Sequence, residues 1–232
     1  MASGVPAYEA PAHHFESWEQ QREASSLGMW FFIAQEMMFF GGLFTVYLIY
    51  RMRNAETFAL ASSELDVMWG GINTAVLIAS SGTMAFAVRA AQMSKTKPLV
   101  IFLVLTLILG CGFVGIKAIE YTAKFSHHLI PYWDFDFHVP DAYAAEMTPA
   151  ELDKTKRGAE IFFGVYFMMT GLHALHMLIG MGLIIWLLWH AVKGRYNRNY
   201  HNPIECFGLY WHFVDLVWIF LFPLLYLLGR NI

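Results

Sequence analysis

Charge is scarce in this chain. Only 14% of its 232 residues are Asp, Glu, Lys or Arg, where a soluble domain carries about 25%. Cysteine is nearly absent. Cys111 and Cys206 are the two, far apart and without a pairing or metal-ligand spacing, so neither a disulfide framework nor a zinc site nor a thiolate cluster is indicated. The opening stretch MASGVPAYEAPAHHFESWEQQREASS lacks the basic-then-apolar order of a secretory signal, and the first apolar run is expected to serve as its own insertion signal. There is no internal repeat and no low-complexity segment. The net charge of −3 resides in the polar connections and forms no basic surface, so no nucleic-acid partner is expected.

What fills the space is apolar: 57% of the residues are hydrophobic. Five runs are long enough for the roughly 20 residues that a hydrocarbon core demands. They lie near 27–50, 67–90, 98–122, 160–190 and 206–229. The expected fold is all-α: a polytopic membrane protein with five transmembrane helices in a bundle over 27–229, preceded by an N-terminal cytoplasmic segment, 1–26. Short loops near 89–97 (Arg89, Lys95, Lys97) and 191–205 (Lys193, Arg195, Arg198) place basic charge on the side of the N-terminus. The positive-inside rule then puts the N-terminus in the cytoplasm and the C-terminus outside. One connection is long, 123–159. It is rich in aromatics and acids and ends in TPAE, where Thr148 as N-cap, Pro149 at the first helical position and Glu151 three residues after the cap predict a helix start. Pro223 is expected to kink the fifth span.

Within the first run, WFFIAQEMMFFGG holds a carboxylate, Glu36, among large apolar side chains. An ionisable group near the bilayer centre costs about 2.5–3.5 kcal/mol on insertion scales, so it normally faces protein and has a partner. Counting from the span midpoints in alternating directions, Glu36, His176, His212 and Asp215 fall in one layer roughly 5–8 Å thick, and His173 joins this buried polar layer beside His176. His173 and His176 share a helix face, as do His212 and Asp215. A lone intramembrane histidine is most simply a satisfied packing group; four ionisable groups at one depth make the layer as a whole a candidate site, though no single residue of it. One facing histidine pair at most could ligate haem, and the nearby acids argue against it. GCGFVG at 110–115 matches a dinucleotide fingerprint in letters only: it sits inside an apolar helix with no strand before it. Small residues there, and at Gly41–Gly42, Gly71, Gly180 and Gly182, read as helix-packing positions. Lys117 and Glu120, three apart, are expected to pair at the interface end of the third span. No catalytic residue is assigned, because no nucleophile meets a base, no phosphate loop is present and no metal cage is visible. The residues alone describe a five-helix membrane subunit with a buried acid–imidazole layer, and leave a proton-coupled transporter or a haem-bearing cytochrome open.

Several stretches carry a resemblance. YWHFVDLVWIFLFPLLYLLG in the fifth span, GLHALHMLIGMG in the fourth, IEYTAKF after the third, INTAVLIASSG in the second and LGMWFFIAQEMMFFGG around Glu36 are similar to subunit III of haem-copper oxidases, over residues 25 to 229. Glu36 matches that family's buried, carbodiimide-reactive glutamate. The resemblance implies a noncatalytic subunit of a proton-pumping cytochrome c oxidase in the bacterial inner (plasma) membrane. It implies packing on subunit I and contact with subunit II, a bound phospholipid, and support for proton uptake and for stability during turnover. Haem and copper would lie in the partner subunits and none in this chain. The five runs match the family's five-helix form rather than the seven-helix one, in which two more helices help to shape the lipid cleft. A quinol oxidase or a nitric-oxide-reductase-associated homologue is the alternative, and a larger respiratory supercomplex is a further partner to consider.

Overall fold

The computed structural model describes residues 14–131, 135–145, 147–197 and 200–228. The first half of the expected cytoplasmic segment, residues 1–13, and Arg198 of the basic loop lie outside the described residues. The elements are α1 (Trp18–Arg53), α2 (Ala55–Ser63), α3 (Val67–Gln92), α4 (Thr96–Ser126), α5 (Asp141–Ala144), α6 (Pro149–Val192) and α7 (Asn202–Phe222), followed by a π-helical turn, Pro223–Leu227. No strand occurs among the described residues. Hydrocarbon offers backbone groups no hydrogen-bond partner, so long apolar runs satisfy them internally as helices. Among the described residues five helices, α1, α3, α4, α6 and α7 with its π turn, are long and apolar enough to cross a membrane. The chain is an all-α polytopic membrane protein.

Local chemistry sets the ends. The Ser17 hydroxyl accepts the amide of Gln20 and opens α1. Asp66 accepts the amide of Met68 at 2.8 Å and opens α3. Gly194 closes α6 with φ +69°, the left-handed conformation a glycine adopts without strain. At the start of α6 the Thr148 amide donates to Glu151 Oε2 at 2.8 Å and the Glu151 amide donates back to the Thr148 hydroxyl at 3.4 Å. The expected capping box is formed, and α6 continues from it without a break for 44 residues. At 1.5 Å per residue that is roughly 66 Å, about twice the hydrocarbon thickness. The charged turns that carry Asp153, Lys154, Lys156 and Arg157 therefore extend beyond the apolar part of the helix. The short helix α2 was not expected. Phe58, Ala61 and Ser62, at helical spacing, form its buried face.

The chain divides into two compact units. The first takes Met1–Met37, Leu77–Cys111 and Met177–Asp215. Its centre is Trp211, fully buried, whose indole N–H donates to Ser80 Oγ at 3.0 Å. Gly110 and Gly180 lie against that indole so closely that an added Cβ would sit 3.2 and 2.8 Å from ring atoms. Thr83 and Thr106 join α3 to α4 at 2.8 Å. The second unit takes Met38–Val76, Gly112–His176 and Leu216–Ile232. Its aromatic core includes Tyr47, Phe58, Phe162, Phe163 and Tyr166. The connection before α6 folds back onto that helix, with Phe137 buried 6.4 Å from Phe163 and Lys156 3.5 Å from Asp136.

The glycine expectation needs correction. Gly110 and Gly180 are packing positions, and Gly71 only grazes Phe222. Gly41, Gly42, Gly112, Gly115 and Gly182 meet no neighbouring side chain, because they lie on helix faces that other helices do not cover. Gly70, Gly158 and Gly208, which the sequence did not single out, are as tightly packed as Gly180.

Candidate functional site

The five ionisable residues of the expected layer divide three and two between the units. In the first unit, α7 carries His212 and Asp215 on one face. His212 Nδ1 lies 2.6 Å from the Ser81 hydroxyl of α3. Asp215 is 2% exposed, and neither carboxyl oxygen has a partner at hydrogen-bond geometry among the described residues. The Ser81 hydroxyl is nonetheless its neighbour, so Ser81 stands between the acid and the imidazole. Glu36 is partly buried on α1, within electrostatic range of the Tyr210 phenol of α7. Phe32, one turn before Glu36, lies 6.0 Å from the Tyr210 ring.

In the second unit, His176 donates Nδ1–H to the Leu172 carbonyl at 2.8 Å and meets Phe40 edge-on at 5.4 Å. His173 is wedged between Phe113 and Trp218, with ring centroids 5.4 and 5.2 Å away. Lys117 and Glu120 form an ion pair at 2.7 Å, with side chains only 5% and 6% exposed. This pair is enclosed by protein rather than lying at an open interface. Lys117 also donates to the Tyr226 hydroxyl at 2.6 Å and lies over the Trp218 ring at 4.5 Å. Glu120 accepts from both the Tyr166 hydroxyl, at 2.8 Å, and the Tyr226 hydroxyl. Each charge is thus paired and its remaining hydrogen-bonding capacity largely used, the condition under which a buried ion pair is tolerated.

Tyr166 and Tyr226 were missed by sequence reasoning. The signal for Tyr226 lies in LFPLLY: Pro223 has no N–H to donate, α7 ends at Phe222, and the chain continues with Leu228 donating to the Pro223 carbonyl five residues back. At Pro223, where a kink was expected, the helix changes to a π turn, of the kind common at functional positions. It turns Tyr226 onto Glu120. Among the described residues no group of three or more His, Cys, Asp or Glu is gathered as metal ligands would be. With an ion pair, two phenols and scattered imidazoles, the arrangement can hold helices and protons in place.

Comparison with known proteins bears on what this scaffold belongs to. Residues 155–230 match the profile of the family described as cytochrome c oxidase subunit III. The chain is 31% identical over 221 residues to cytochrome c oxidase subunit 3 of Synechocystis sp., covering 95% of this chain and 80% of that protein. It belongs to the cytochrome c oxidase subunit III family. Cytochrome c oxidase subunit 3 of Thermostichus vulcanus is similar too, 29% identical over 205 residues, 88% of this chain and 87% of that protein. Quinol oxidase subunit 3 of Bacillus spizizenii is 30% identical over 203 residues, 88% and 86%. The family match covers most of α6, all of α7 and the π turn, which carry His173, His176, His212, Asp215, Tyr166 and Tyr226. As a subunit III the chain is part of a haem-copper oxidase.

Proposed function

We propose that the chain is the noncatalytic subunit III of a proton-pumping cytochrome c oxidase in a bacterial inner membrane, packed on subunit I and in contact with subunit II. The carrying observation is the similarity to full-length subunits III along most of both chains. Haem and copper reside in the partner subunits. Glu36, His173, His176, His212 and Asp215 are polar packing groups of the apolar helices, with His212 tying α7 to α3 through Ser81, and Glu36 influences proton supply to the partner. Lys117 and Glu120, with their two tyrosines, form a second fastening. The N-terminus faces the cytoplasm.

Phospholipid has a place to bind. A groove of about 750 Å³ in the first unit runs between the start of α1 and the start of α7. Trp18, Arg22, Tyr200 and His201 line its polar end, and Met29 and Phe32 its apolar one. Amphipathic aromatics with an adjacent cation suit a headgroup, and the apolar end suits its acyl chain.

The test is purification of the complex through a tag on this chain, with identification of the co-isolated subunits and their haem spectrum. Co-isolation of a haem-copper subunit I supports the reading, and recovery of the chain without one overturns it. A Glu36→Gln complex should keep its subunits yet lose activity faster during turnover; unchanged activity, lifetime and composition would remove the role given to Glu36. Quinol is the second reading for the electron donor, favoured by the similarity to quinol oxidase subunits 3. Donor preference of the purified complex decides between them.

A further inference from the structure

Two short pieces of chain meet in the second unit: the helix α2 packs against the π turn Pro223–Leu227. The turn also touches the buried ion pair, because Tyr226 accepts from Lys117 at 2.6 Å and donates to Glu120. Tyr166 and Trp218 enclose the same pair from α6 and α7. Glu64, just past α2, and Leu228, just past the turn, are exposed, whereas Lys117 and Glu120 are 4% and 7% exposed. The two pieces thus run from water to the edge of the pair.

The last carbonyls of a helix have no amide of their own helix to accept from. Here side chains of neighbouring helices supply the donors. The Arg51 guanidinium of α1 donates to the Leu228 carbonyl at 2.6 Å and to the Tyr47 hydroxyl at 3.2 Å. Tyr47 in turn donates to the Leu224 carbonyl at 2.7 Å. Lys124 of α4 donates to the Glu64 carbonyl. Cations at these ends also complement the helix dipole. On the packing side, Phe58 of α2 lies 5.3 Å from Phe162. Gly158 of α6 lies so close to Thr57 that an added Cβ would sit 2.8 Å from its methyl group. The backbone of both pieces is weaker. Asn54 gives its side-chain amide to the Tyr50 carbonyl and does not cap the nine-residue α2. The π turn is closed by a 3.2 Å bond from the Leu228 amide to the Pro223 carbonyl. Short segments held by bonds near water are the ones that open locally while the core stays folded.

We propose that α2 and the π turn form one latched lid over the Lys117–Glu120 pair, held by Arg51 and Lys124 and seated on Gly158. Opening of the lid is the step that admits water to the pair. A dry, fully bonded pair resists separation, whereas a hydrated one contributes little. The lid therefore governs whether the fastening of α4, α6 and the C-terminal turn holds.

The test is labelling of the Glu120 carboxyl in the purified oxidase complex with a water-soluble carbodiimide and an amine, read by mass spectrometry against the exposed Glu56. Wild-type Glu120 should react far more slowly than Glu56. Arg51→Met should raise its rate about tenfold or more, the extra opening expected from losing a hydrogen bond with a charged donor. Gly158→Ala should raise it several-fold by pushing Thr57 away, and Thr57→Ala added to that variant should bring the rate back toward wild type. Gly182→Ala, which meets no neighbour, should leave it unchanged. Wild-type labelling as fast as at Glu56 overturns the proposal, as does an unchanged rate in both Arg51→Met and Gly158→Ala. A double variant that reacts no more slowly than Gly158→Ala overturns it too. Should the variants fail to assemble, hydrogen exchange of the wild-type complex decides. The amides of 55–63 and 224–228 should exchange together and faster than those of α7, and unlike rates, or rates as slow as those of α7, overturn the lid.

Discussion

The Lys117–Glu120 pair shows how one residue's environment sets its value. Exposed, a pair three residues apart contributes a few tenths of a kcal/mol; enclosed, removal of one partner strands the other. Lys117→Met should therefore destabilise the subunit by about 3–5 kcal/mol, read as earlier thermal release from the complex. The double variant Lys117→Met with Glu120→Leu should recover much of that loss, because no uncompensated charge remains. Recovery will be incomplete, since the Tyr166 and Tyr226 hydroxyls lose their acceptor. A double variant that behaves as the sum of two single ones would show that the charges are not coupled. Gly180 and Gly182 give the matching contrast in packing. A methyl at 180 meets the rigid Trp211 indole at 2.8 Å, while one at 182 meets nothing within 4 Å. Gly180→Ala should cost about 1–3 kcal/mol as overpacking, and Gly182→Ala should be neutral, in the same thermal assay.

At the scale of elements, apolar run length identified every crossing helix, because only a helix satisfies a backbone in hydrocarbon. Thr148, Pro149 and Glu151 marked the start of α6 since a capping box needs only local residues. Contacts across helices were another matter. Nothing in the spacing of Tyr166 and Tyr226 says that they meet Glu120; that depends on how far the π turn after Phe222 rotates the chain. The helix α2 escaped notice because nine residues hold too few turns for a periodic pattern to stand out. Small residues misled for a related reason: composition marks a glycine, but only the neighbouring helix determines whether it is covered. The capping box carries a pH prediction. Hydrogen bonds from the Thr148 amide and hydroxyl hold the Glu151 carboxyl below its usual range. An acid depressed in the folded state stabilises above its unfolded pKa, and that contribution disappears as pH falls through the folded value. Hydrogen exchange at the first turn of α6, corrected for the intrinsic pH dependence, should rise several-fold on acidification in the wild type. In Glu151→Gln the rise should be absent.

For the whole molecule, orientation is what relates the residues to the two aqueous compartments, and it can be read from charge. Arg89 in the last turn of α3, Lys95 between α3 and α4, Lys97 in the first turn of α4, and Lys193 and Arg195 between α6 and α7 gather on the side where α1 begins. The connection between α4 and α6 and the charged first turns of α6 belong to the second unit, and there acids and bases are mixed. Basic residues in short loops resist translocation, whereas long mixed connections cross largely regardless of charge. The side bearing Lys95 should therefore be cytoplasmic and the side bearing Asp153 external. Both residues are exposed, so each accepts a reporter thiol without disturbing the interior. With Cys111 and Cys206 replaced by Ala, a Lys95→Cys variant should be modified by a membrane-impermeant maleimide only in inverted vesicles. An Asp153→Cys variant should react in intact spheroplasts. The opposite pattern would reverse the assigned topology. The Trp18, Arg22 and Tyr200 end of the groove would then face the outer leaflet, where anionic lipid is scarcer, and phospholipid capture there would lose its electrostatic part.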